Sequence, residues 1–535
     1  MTIAKRILAL VLCALMTLGC LAACSDYDYP IPTAPVYTGP KYTMPPSLDD
    51  LIGENTEPTE AQPAPTQPAA TEPAPTEPAV PEGTLVPKAG EEISYVMIYN
   101  PQIYTDDAHT ESRQTGNISQ QITVEMNRGD NLGNLPETDP FNQVALDPAF
   151  ISKINLDGGK ADGLGKFYSV GDKENFYCGS QKDINTREER SFTCVYAGTH
   201  ANIWTYEKVD QNTINKLGKA FDETTYQNCV DRFGEARFGE VVNILIYPFS
   251  GNKNTVGFFC GYDLFSSMEC DDATAKLYGV NRNINVININ QMWLADETTT
   301  ISTLAHEFQH LLCFTGYFAY GNQCAVWFNE AMSGYIEEVL YPGIKASHFE
   351  TFHTSARIRN GQSLYNFGID ATSSSFDIGV YGSVFLFSEY LKNLSGNDIF
   401  SKFHSNWRRT YSEMDTFTGI YNVVPENVRQ QVDSLVQYPS SVRFASREQE
   451  WCSKLTLSFY LSTFTADQNA AAGYKNIAEE YLVYDSLRSA NIEGGGRILL
   501  ATKGGTFQIP EDADAGLVYV GLNKDLQIVT NIVTK

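Results

Sequence analysis

Histidine is scarce in this chain, with 7 in 535 residues, and positive charge is outnumbered, with 38 Lys and Arg against 64 Asp and Glu. The net charge of −26 argues against nucleic-acid partners and against electrostatic attachment to anionic lipid, since both need a basic surface. Beyond the N-terminal segment, no stretch approaches the ~18 apolar residues of a membrane span. No cysteines have zinc-finger spacing. What is present suits packed globular structure. The chain is 42% hydrophobic and 12% aromatic, and its 30 Tyr and 29 Phe point to much β structure. Its length exceeds one core, so two or three domains are expected.

Two of the few histidines stand in a pattern. His306-Glu307-Phe308-Gln309-His310 is H-E-x-x-H. Residues four apart stack on one helix face, so His306 and His310 can offer two imidazole nitrogens to one Zn²⁺. Glu307 beside them can take a proton from activated water. Ile301, Leu304, Ala305, Phe308, Leu311 and Leu312 recur at helical spacing. Asp296 and Glu297 suit the start of that helix, Thr298 to Thr300 are candidate caps, and Gly316 is a candidate stop.

Given so few histidines, chance H-E-x-x-H is expected in on the order of one such chain in a hundred. A third ligand therefore decides between a metal centre and two core histidines. Glu330 lies 20 positions after His310, within a second amphipathic helix marked by Phe328, Ala331, Met332, Tyr335, Ile336 and Val339. Two His, one Glu and a water make a catalytic zinc shell. The bland alternative for Glu330 is a solvated carboxylate, and Glu337 and Glu338 are read that way.

Thr303-Leu-Ala-His-Glu-Phe-Gln-His-Leu-Leu312 together with Trp327-Phe-Asn-Glu-Ala-Met-Ser333 resembles the gluzincin, thermolysin-like zinc metallopeptidases, and most of all the hyicolysin branch. The likeness covers residues 220–395 and is strong at the two helices. It implies a zincin-type catalytic domain with one Zn²⁺ on His306, His310 and Glu330, and Glu307 as general base. Many such enzymes carry an Asp four residues after the Glu ligand, where it orients a zinc-bound His. Here that position is Gly334, so another acceptor is required. Resemblance also implies an edge strand that pairs with substrate, assigned to 283–289 with Asn285, Val286 and Ile287 at its centre. It implies a Tyr or His oxyanion donor from the later helices. Tyr381 is the candidate, with Tyr390, His348, His353 and His404 as competitors.

Lys5 and Arg6, the apolar run Ile7 to Leu18, and Leu21-Ala22-Ala23-Cys24 resemble a lipoprotein signal. Cys24 is the expected lipidation site, and Cys20, with Thr17 before it in place of Leu, is a weaker match. Residues 28–90 are rich in Pro, Thr and Glu and read as an extended tether. Cys178–Cys194 and Cys260–Cys270 are candidate disulfides by proximity.

The expected fold class is α+β: a zincin-type catalytic domain, a β-rich N-terminal domain and a small β-rich C-terminal region. The expected boundaries are a signal at 1–23, a tether at 24–90, a β-rich accessory domain at 91–205, a catalytic domain at 206–485 and a C-terminal β region at 486–535. The expected function is zinc-dependent cleavage of a protein or peptide substrate on the extracytoplasmic face of a bacterial envelope. Attachment would be through the N-terminal lipid, without nucleic acid. The rival is a binding lipoprotein on a protease-derived scaffold, against which the intact Glu307 speaks, because metal binding does not need it.

Overall fold

Two larger sheets and a set of helices make up the described residues, in an α+β arrangement as the sequence implies. The computed structural model describes residues 83–103, 168–179, 187–249, 255–320, 325–345, 361–366, 379–396, 399–405, 413–462, 491–502, 504–510 and 516–534, with shorter pieces between them that include His348. The signal, Cys24 and nearly all of the tether lie outside the described residues, as do His353 and most of 126–165. No described helix is long and apolar enough to cross a membrane.

Ten strands carry the argument: β1 (Tyr95–Tyr99), β2 (Lys173–Gly179), β3 (Arg187–Ala197), β4 (Ala201–Thr205), β5 (Val242–Tyr247), β6 (Gly257–Phe259), β7 (Asn285–Asn290), β8 (Arg497–Ala501), β9 (Val518–Leu522) and β10 (Val533–Thr534). One sheet has the order β2-β3-β4-β5-β7-β6, with β4, β5 and β7 parallel and the outer pairs antiparallel. The other is antiparallel, with the order β8-β1-β9-β10.

These pairings correct the boundary at 205/206. Strands β2 to β4 belong to the sheet that carries β5 to β7, whereas β1 pairs with the C-terminal strands. The 91–205 segment is therefore divided between two sheets. Strand pattern is local, but strand partners are set by contacts across hundreds of residues. The four-stranded sheet has two apolar faces. Met97, Tyr99, Leu499, Val518 and Val520 join the main core, while Val96, Ile98, Ile498, Leu500 and Tyr519 face a second, smaller core. The tether also ends earlier than 90: Leu85 is fully buried, Thr84–Leu85 pairs with Phe507–Gln508, and the Lys88 amide donates to the Val529 carbonyl.

The edge-strand assignment is corrected too. Strand β7 is flanked by β5 and β6, so Asn285, Val286 and Ile287 are interior and fully buried, and among the described residues β6 is the edge strand on that side. The alternating Asn residues look like a polar face in sequence. Each instead donates to a backbone carbonyl: Asn285 to Gly239 and Val241, Asn288 to Phe258, and Asn290 to Thr255. That satisfies their amides without solvent.

Helix α1 (Gln211–Ala220) is capped by Asp210, which accepts from the Thr213 amide, and passes through a π-helical segment, Phe221–Thr225, into α2 (Tyr226–Phe233). Helix α3 (Glu297–Tyr320) carries the motif. Its cap is Asp296, which accepts from the Thr299 amide and hydroxyl, not a threonine. It runs through Gly316 rather than stopping there, with Leu312, Cys313 and Phe314 just before it buried in the core. Then follow α4 (Val326–Leu340), α5 (Gly379–Ser395), α6 (Ile399–Ser405) and α7 (Arg447–Ser462). The candidate disulfides are absent: Cys178, Cys194, Cys260 and Cys270 are buried thiols. Cys178 lies opposite Glu188 and Cys194 opposite Trp204, which separates them by several residues along the β2–β3 hairpin.

Candidate metal centre

Helices α3 and α4 lie side by side with Phe308, Leu311, Leu312, Phe328, Ala331, Met332 and Tyr335 in one core. The packing turns the polar edge of each helix toward the other. His306 and His310 stand one turn apart with their rings nearly perpendicular and centroids 4.6 Å apart. Glu330 reaches them from α4: its Oε2 is 3.3 Å from His306 Nε2 and its Oε1 is 3.5 Å from His310 Nε2. One donor atom from each of the three lies within 4.8 Å of the other two, and all three residues are buried.

The donor set fits a small divalent cation. Tetrahedral ligands on bonds of about 2 Å are roughly 3.3 Å apart, and the His–Glu distances are of that size. With its Nδ1 engaged by Glu337, a neutral His306 turns the Nε2 lone pair toward the Glu330 carboxylate, itself a set of lone pairs. His306 Nε2 and Glu330 Oε2 are both buried and face each other at 3.3 Å. Such an arrangement calls for a positive charge between them. With no cation present, a proton takes that place, and a bound metal would displace it. Burial alone would lower the His306 pKa, but the carboxylates of Glu337 and Glu330 outweigh it and push it up to about 10. Burial takes His310 down to about 4, leaving it a neutral donor. Glu330 is held below the usual carboxylate range, since His310 and His306 outweigh its burial.

The acceptor missing at position 334 is found three residues on. Gly334 faces the Phe385 side chain of α5, where an added Cβ would sit 3.6 Å away. Glu337 is the acceptor: its Oε2 takes the His306 Nδ1 hydrogen bond at 2.8 Å. The reading of Glu337 as a solvated carboxylate is therefore wrong, as it is only 3% exposed. Position 337 is two turns from 330 and almost in line with it on an α-helix, drifting by only ~20°. A Glu side chain covers the extra rise. That seven-residue spacing was visible in the sequence, but nothing there linked it to His306. Lys345 and His306 outweigh burial and bring Glu337 down to about 2. Glu338, also read as solvated, accepts from the Gly343 and Lys345 amides.

Glu307 is fully buried beside His306. Strand β6 runs alongside α3: a Cβ on Gly257 would touch Thr303, while Phe259 meets Phe314 at 5.6 Å. The contacts of β6 on α3 thus fall on either side of the H-E-x-x-H segment. Tyr381 lies in the first turn of α5, buried, with its ring edge-on to His348 at 6.3 Å. The His348 carbonyl crosses Gly382 so closely that a Cβ there would lie 2.3 Å away. Among the competitors, the Tyr390 hydroxyl donates to Ser458, and His404 packs on Phe233 and Gly234 at the seam of α2 and α6.

A buried pair of histidines on one helix, joined by a glutamate from the next, is the kind of site that metallopeptidases use. No family model matches the chain. The neutral metalloprotease ShpI of Staphylococcus hyicus is 26% identical over 238 residues, a stretch that covers 40% of this chain and 50% of that protein. The chain thus spans about half the length of the relative it matches, and the similarity is to a metalloprotease.

Proposed function

We propose that this chain is a zinc-dependent endopeptidase held outside the cytoplasmic membrane by an N-terminal lipid. The observation that carries the reading is the buried His306–His310–Glu330 set, with His306 braced by Glu337. Two imidazole nitrogens and one carboxylate would hold a single Zn²⁺ and leave a position for water. Bound there, zinc supplies the Lewis acidity that activates water and polarises a carbonyl. Glu307 takes up the water's proton and later passes it to the leaving amine. Tyr381 donates a hydrogen bond from its neutral hydroxyl to the developing oxyanion.

The substrate is an extended segment of protein or peptide. The backbone edge of Gly257–Phe259 beside α3 offers hydrogen bonds that register main chain rather than side chains. The substrate-pairing role read for Asn285, Val286 and Ile287 passes to this strand. The name of the ShpI relative supports the reaction class. The membrane tether rests on the basic Lys5-Arg6 start, the apolar run after it and Leu21-Ala22-Ala23-Cys24.

The test is metal analysis and casein hydrolysis on the purified full chain. About one zinc per chain is expected, with cleavage abolished by a chelator and restored by zinc. Glu330→Ala should lose most of the metal. Full retention in that variant refutes the third ligand. A zinc-loaded chain that cleaves nothing would instead favour the binding lipoprotein.

A further inference from the structure

Glu337 is gripped from two sides. The Lys345 ammonium and His306 Nδ1 meet the same atom, Glu337 Oε2. Lys345 is only 8% exposed, which is unusual for a side chain that ordinarily keeps its charge in water. The turn after α4 accounts for its position. Glu338 accepts from the Gly343 amide at 2.7 Å and from the Lys345 amide at 3.2 Å. Gly343 has φ +92°, a left-handed conformation that glycine adopts without strain. At the start of the same turn, the Tyr341 hydroxyl is 3.0 Å from Thr225 Oγ1 in the π-helical segment. Consecutive carboxylates therefore serve one lysine: Glu338 fixes its backbone and Glu337 receives its side chain.

We infer that Lys345 is a positioning residue for the metal centre: delivered by the Glu338-closed turn, it fixes the Glu337 carboxylate against His306 and so sets the orientation of that imidazole and the tightness of metal retention. The inference rests on His306, His310 and Glu330 being the metal ligands. A carboxylate with one partner can swing about its terminal torsion, whereas a second charged contact on the same oxygen removes that freedom. Partners outside the ligand shell commonly change metal affinity by about 10–100-fold. Here no short Asp at 334 does the work from nearby, so the support comes from the segment that follows the helix.

The experiment is competition for zinc by a chelator on the full chain, together with the visible spectrum after replacement of zinc by Co²⁺. Lys345→Met should weaken zinc retention by about tenfold or more and shift the Co²⁺ bands. Lys345→Arg keeps the positive charge and should recover most of both. Glu338→Gln leaves the Glu337–Lys345 pair intact but loosens the turn, and should give a smaller loss of retention. A folded Lys345→Met chain with wild-type retention and an unchanged spectrum overturns the inference, and so does equal loss in the Met and Arg variants. If Lys345→Met does not fold, Glu338→Gln decides: unchanged retention and spectrum there overturn the inference. Wild-type protein that retains no zinc refutes the metal centre itself, which is a distinguishable result.

Discussion

Replacing Glu337 with Gln keeps the volume of the side chain and removes its charge, which isolates the electrostatic part of its contact with His306. The bond at stake is 2.8 Å long and buried. A hydrogen bond to a charged group contributes about 1.5–3 kcal/mol and a neutral one about 0.5–1.5 kcal/mol. The difference is about 1–1.5 kcal/mol, and 1.4 kcal/mol is a factor of ten in affinity. Glu337→Gln should therefore release zinc about tenfold more readily in chelator competition. Lys345 suffers as well. The glutamine carbonyl must turn to His306, which leaves its amide donors near the ammonium. Breaking a buried ion pair from one side costs about 3–5 kcal/mol, and the remaining exposure of Lys345 places this one at or below the low end, near 3 kcal/mol. Denaturant unfolding of the metal-free chain should register that loss. Zinc retention within twofold of wild type, together with an unchanged unfolding midpoint, would refute the assignment of Glu337 as the acceptor that holds His306.

Glu307→Gln separates binding from chemistry: zinc content should stay near wild type while peptide hydrolysis falls by ~10² or more, and cleavage at the wild-type rate would remove Glu307 as the base. Tyr381→Phe deletes one hydroxyl and should lower kcat by ~10² with little change in KM, whereas a rise in KM alone would make Tyr381 a substrate-binding group. Loss of thermal stability with both constants unchanged would leave Tyr381 as packing and move the oxyanion role to its ring neighbour His348. Cys24→Ser should release the protein from membranes or leave an unprocessed precursor, and membrane-bound protein of mature size would mean that the anchor lies elsewhere.

Several elements were legible because their signals are local. Helix α3 is apolar at helical spacing and carries two histidines one turn apart, so its existence and the pairing of His306 with His310 follow from backbone geometry. Glu330 was legible for a weaker reason, as an acid on the next amphipathic segment at a spacing that a short helical hairpin can close. The strands in the tail and at 242–247 were visible from their composition, but their partners were not. Tyr95–Tyr99 lies between Arg497–Ala501 and Val518–Leu522, two strands from the far end of the chain. The edge role of β7 was an implication of the resemblance, and the sequence does not show that its Asn288 and Asn290 amides bond carbonyls at Phe258 and Thr255.

The sequence by itself determined the chemistry on offer: which residues can bind a cation, which can carry a proton, and which helix faces are apolar. It did so because helical periodicity links residues three to seven positions apart. Only the tertiary structure decided how that chemistry is supported. Glu337 and Lys345 converge on one oxygen because α4 packs against α3 and the following turn folds back on Glu338. Strand β7 is interior because the antiparallel pairing with β6 covers its outer side. Burial and long-range pairing make an ordinary surface residue type, a glutamate or a lysine, into part of the site. Those two quantities depend on the whole chain's packing and are written at no single position.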